Sequence, residues 1–132
     1  MQSVEVAGER VWLLDSVTEG GKRQTGALVV TGSHGGVSAA RYAAAYRPWL
    51  VAFNDAGVGK DAAGVAGLAL LEREGVAAVA VSASSARIGE AADTWASGVI
   101  GHVNASAAAL GFRTGVRLAE AVAALLEGDG TP

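Results

Sequence analysis

Hydrophobic and polar positions along this chain follow two alternating rhythms. Short runs rich in Val, Leu and Ala occur at Val11–Leu14, Ala27–Thr31, Trp49–Phe53 and Val76–Val81, and each stops abruptly at Asp, Gly, Asn or Ser. Between them, Ala and Leu return at helical spacing over Val37–Tyr46 and Asp61–Glu74. A β-branched run too short for a helix, halted by turn formers and followed by a segment of period 3.6, predicts strand, loop and helix in succession. Gly75 predicts a helix stop, and Val76–Val81 follows after almost no loop, the short connection typical of a parallel sheet. Val4–Val6 and Val11–Leu14 around Ala7-Gly8-Glu9-Arg10 predict a short hairpin.

Beyond Val81 the pattern predicts one or two helical turns at Glu90–Ala96 and a short strand at Val99–Val103. A helix over Ala105–Leu110 would be capped by Asn104, and a last helix capped by Thr114 would bury Val116, Ala119, Val122, Ala123 and Leu126. The expectation is an α/β fold with three layers, a mostly parallel sheet and a short N-terminal hairpin. Residues 1–127 would form a single domain and 128–132 a flexible tail.

Composition narrows the function classes. Hydrophobic residues make up 51% of the 132 and charged residues 17%, which excludes a disordered chain. No apolar run approaches the roughly 20 residues needed to span a bilayer, and Met1–Glu5 lacks a basic segment followed by an apolar one, so a cytoplasmic location without membrane contact is expected. The absence of cysteine removes disulfides, thiolate metal sites and a Cys nucleophile together. With two histidines only, and no HxH or HExxH spacing, no metal is expected. A formal charge of −3 with singly scattered basic residues lacks the footprint of nucleic-acid binding. The 19 glycines and an aromatic share of 5% imply closely packed backbones and a modest core, from which a homo-oligomer is expected.

Candidate chemistry sits at the strand ends, because in an open parallel sheet the loops beyond the carboxyl ends of the strands form the ligand crevice. Gly32-Ser33-His34-Gly35-Gly36 supplies backbone N–H donors from Gly35 and Gly36, a hydroxyl at Ser33 and an imidazole at His34. A helix N-terminus disfavours imidazolium, so His34 there would be neutral, the form a general base needs. The alternative is a sharp turn with Ser33 as a helix cap.

Asn54-Asp55-Ala56-Gly57-Val58-Gly59-Lys60 ends like a phosphate-binding loop but fails that motif, with Asn54 where Gly is needed and Asp61 where Ser or Thr is needed. Asn54 and Asp55 either close a turn or face a ligand. Lys60 either meets a substrate carboxylate or lies exposed at a helix start. Ser84, Ser85 and Arg87 could recognise a carboxylate, unless Arg87 is paired with Glu90 or Asp93; Asp93 could instead orient a histidine. His102 reads as a core residue, and Trp12, Trp49 and Trp95 as core or interface anchors.

These residues predict a cofactor-independent enzyme, a lyase, isomerase or hydrolase acting on a small anionic or carbonyl-containing metabolite. Loop amides, Asn54, Lys60, Ser84, Ser85 and Arg87 would hold the ligand, while His34, Asp55 and Ser33 carry the chemistry. Two alternatives stand beside it: a non-catalytic ligand-binding or regulatory module, and the small subunit of an enzyme completed by a partner chain. Convergence of His34, Asp55 and Arg87 on one pocket favours catalysis; a locally tied Arg87 and a solvent-facing His34 favour binding.

Overall fold

The computed structural model describes residues 1–128, so residues 129–132 of the expected tail lie outside the described residues. Strands β1 (Gln2–Val6) and β2 (Glu9–Leu14) pair antiparallel about Ala7-Gly8, both with positive φ. Two 3-10 turns, Val17–Glu19 and Lys22–Gln24, lead to β3 (Leu28–His34), α1 (Val37–Tyr46) and β4 (Leu50–Asn54). A third 3-10 turn, Lys60–Ala62, precedes α2 (Gly67–Arg73) and β5 (Ala77–Val81). The chain then forms α3 (Ala91–Ser97), β6 (Ile100–Val103), α4 (Ala105–Ala109) and α5 (Leu118–Glu127).

The fold is mixed α/β, with five helices and one six-stranded sheet in the order β1-β2-β3-β4-β5-β6. Strands β2 to β5 are parallel, and β1 and β6 close the two ends antiparallel. Alternate strand residues leave opposite sheet faces, and the buried residues divide accordingly. Trp12, Leu14, Val29, Val51 and Phe53 pack with Ala40, Ala43 and Tyr46 of α1 and Leu68 and Leu71 of α2. Val11, Leu13, Leu28, Val30, Ala52 and Val79 pack instead with Ala91 of α3, Ala107 of α4, and Leu118, Val122 and Leu126 of α5. Thus α1 and α2 share one face, and α3, α4 and α5 the other. No helix among the described residues is long and apolar enough to cross a membrane.

Three boundaries differ from the sequence pattern. Strand β3 does not stop at Thr31 but runs through Gly32 and Ser33 to His34, with an irregular register against β4 that ends by pairing His34 with Asn54. Glycine therefore extends this strand: a Cβ at Gly32 would lie 2.5 Å from backbone atoms of Gly89 and Glu90, so only Gly admits the loop that crosses there. The helix expected over Asp61–Glu74 is confined to Gly67–Arg73. Ahead of it Ala56, Val58, Asp61 and Ala62 all have left-handed φ, which an α-helix cannot contain. Thr114 does not cap the last helix, which begins after Arg117. The intervening backbone pairs with the start of β6 instead: Gly115 N–H donates to Ile100 C=O at 2.8 Å and Ile100 N–H to Val116 C=O at 2.9 Å.

Candidate functional site

The carboxyl ends of β2 to β5 lie along one edge of the sheet because those strands are parallel. After β4 the chain leaves toward α2 on one face, and after β5 it leaves toward α3 on the other. Loops that depart from adjacent strands in opposite directions leave a crevice between them, the topological switch point where open α/β sheets bind ligands. A crevice of about 880 Å³ lies there, bordered by Asn54 and Ala56 from the β4 side and by residues 83–88, Glu90 and Asp93 from the β5 side.

Asn54 and Asp55 brace it. Asn54 is fully buried; its Nδ2 donates to the Ala86 carbonyl at 3.0 Å and its Oδ1 accepts from Ala56 N–H at 2.8 Å. Asp55 Oδ1 accepts from Gly57 N–H at 2.8 Å and from Ala83 N–H at 2.9 Å. Each residue thus ties the loop after β4 to the loop after β5. Asp15, at the end of β2, adds a third strut by accepting from Ala91 N–H at 2.9 Å at the start of α3.

The β5 loop supplies the polar wall. Ser85 Oγ donates to the Ser82 carbonyl at 2.8 Å and accepts from Val99 N–H at 2.9 Å, so this hydroxyl braces the turn. Ser84 is exposed, with its Oγ 3.4 Å from Ser82 Oγ. Arg87 is anchored through its backbone, whose N–H donates to Asp93 Oδ2 at 2.8 Å. Its side chain is 80% exposed, and its guanidinium stands 3.9 Å from the carboxylate of Glu90, whose side chain is 52% exposed. Ile88, 53% exposed, adds an apolar edge.

The glycine-rich segment lies elsewhere. Ser33 Oγ accepts from Val17 N–H at 2.9 Å and so holds the turn after β2. His34 is exposed and borders a separate recess of about 150 Å³ with Thr18, Ser38 and Tyr42. Its Nδ1 accepts from Gly36 N–H at 3.1 Å, which places the proton of the neutral ring on Nε2. The outward nitrogen is therefore a hydrogen-bond donor and not a base. Gly35 donates to the Asn54 carbonyl at 3.0 Å and accepts from Gly67 N–H at 2.8 Å, so both of its backbone groups are engaged. Lys60 is exposed in its 3-10 turn, and Asp61 beside it is exposed as well.

The sheet edge thus brings Asn54, Ser84, Ser85 and Arg87 to one crevice, puts Asp55 into its supports, and leaves His34 and Ser33 to another recess. Glu90 and Asp93 line the crevice, although the sequence marks Glu90 only as a partner for Arg87 and Asp93 as that partner or as a residue orienting a histidine. Asp15 gives no sequence signal at all, because its partner lies 76 residues away. Among the described residues no group of three His, Asp or Glu side chains could hold a metal ion. No family model, curated protein or solved structure matches this chain.

Proposed function

We propose that this chain is a ligand-binding domain that takes a small polar metabolite in the crevice between the β4 and β5 loops. The carrying observation is the divergence of those loops over a polar-walled cleft of about 880 Å³, braced from beneath by Asn54 and Asp55. The acid–base reading has less support. His34 presents an N–H on a different recess, and the Asp55 oxygen nearest the loops already accepts two backbone N–H groups.

Amide chemical shifts, recorded while a panel of small carboxylates, amines and amino acids is added, test the reading. Binding should move the signals of residues 83–88, and Ser84→Trp, which fills the crevice from an exposed position, should abolish the response. Asp55→Asn retains an Oδ1 for both amides and should leave it intact. Shifts that cluster instead at Thr18, His34 and Ser38, or a response lost in His34→Gln but kept in Ser84→Trp, would overturn the proposal.

A further inference from the structure

We infer that the crevice selects a zwitterion, a small molecule carrying a carboxylate and an ammonium group close together, with an apolar remainder, as in a free aliphatic α-amino acid. This rests on the crevice being the binding site. The charged side chains along it are Arg87, Glu90 and Asp93, one cation and two anions. That balance works against a simple anion, because the ligand's charge would add to a wall that is already net negative. A simple amine would gain from the carboxylates but leave the guanidinium facing it with like charge. A zwitterion answers both signs at once.

The geometry leaves those charges available. The Arg87–Glu90 separation of 3.9 Å, with both side chains largely in solvent, is a loose contact of the kind that contributes little to folding. Neither group therefore gives up much by turning to a ligand, and a guanidinium takes a carboxylate through two parallel hydrogen bonds. Asp93 is fixed, since one of its oxygens holds the Arg87 backbone N–H, and so it offers a positioned carboxylate beside an exposed cation. The apolar component follows from Ile88, exposed next to Arg87, and from Ala56, Ala83 and Ala86 along the same walls. Polar ends meeting charged groups and a short hydrocarbon lying on alanine and isoleucine describe leucine or valine better than a sugar or a phosphate ester.

The experiment titrates the full chain with L-leucine, with 4-methylpentanoate as the carboxylate alone and with 3-methylbutylamine as the amine alone. Amide shifts are followed at low ionic strength, where exposed charges are least screened. L-Leucine should shift residues 83–88 and bind about tenfold or more tighter than either half-ligand, a difference of about 1.4 kcal/mol. Arg87→Gln should weaken leucine by a similar factor while sparing the amine, and Glu90→Gln should weaken it while improving the carboxylate. Equal binding of 4-methylpentanoate and leucine at residues 83–88 would overturn the zwitterion inference and leave the crevice standing. No response at residues 83–88 to any of the three, or one unchanged by Ser84→Trp, would bring down the crevice reading as well.

Discussion

Asn54 and Asp55 are neighbours at a strand end, and they divide one task. Asn54 uses a donor and an acceptor, whereas Asp55 uses a single oxygen as a double acceptor. The exchange Asn54→Asp keeps the acceptor for Ala56 but sets a buried carboxylate against the Ala86 carbonyl. It should cost about 3 kcal/mol, whereas Asp55→Asn should cost less than about 1 kcal/mol. Urea denaturation midpoints compare the two, and equal losses would refute the division of roles. Tyr46 gives a pH-dependent test. Burial pushes its phenol above the ordinary value, so the fold retains a proton that the unfolded chain gives up, and this contribution is complete below about pH 10 and fades as pH rises further. Tyr46→Phe cannot ionise and lacks only the hydrogen bond to the Val17 carbonyl. Its deficit of about 1 kcal/mol at pH 8 should shrink at pH 11, and a constant deficit would show that Tyr46 ionises equally in both states. The sequence was informative for residues that act locally. Asn104 reads as a helix cap, and its Oδ1 does accept from Ala107 N–H at 3.0 Å. Its bonds to Leu68, Val76 and Ala78 come from partners 26 to 36 residues away, and no local pattern announces them.

At the scale of elements, pattern located α1 at its observed limits and placed the strands to within a few residues. Two of the three misses share one cause: close backbone contacts made by glycine. Gly32 carries β3 past its expected end, and Gly64 lets residues 55–66 fold into a tight loop where the spacing of Val65, Leu68 and Leu71 suggests continuous helix. Small residues at helical spacing are compatible with both outcomes, and tertiary contacts decide. A Cβ at Gly64 would overlap the Asp55 carbonyl, so Gly64→Ala should destabilise clearly. Val58 in the same loop has φ 69°, a conformation that costs a β-branched residue about 1–2 kcal/mol. Val58→Gly should therefore raise the melting temperature while Gly64→Ala lowers it. If both substitutions act in the same direction, the loop is held by something other than these contacts.

At the scale of the whole molecule, both sheet faces are covered within one chain. The accessible surface of 6137 Å² compares with about 6400 Å² for a folded monomer of 13.1 kDa. The small, Ala-rich core thus buries an ordinary share of the chain for its mass. The strand, loop and helix rhythm was legible in sequence, but the face each helix would take was not, since that depends on the handed crossovers and on where α3 packs. That unread choice creates the crevice. The strand order has a further consequence for biogenesis. Each strand pairs with the one made just before it, so a ribosome-bound chain can lay down the sheet in the order of synthesis, without waiting for distant partners. One side of that growing sheet receives α1 and α2 as they emerge, while the side bearing Val11, Leu13, Leu28 and Val30 stays bare until residues 91–127 arrive. Until then the nascent chain carries an uncovered sticky surface, and it is during this interval that holdase chaperones would find it.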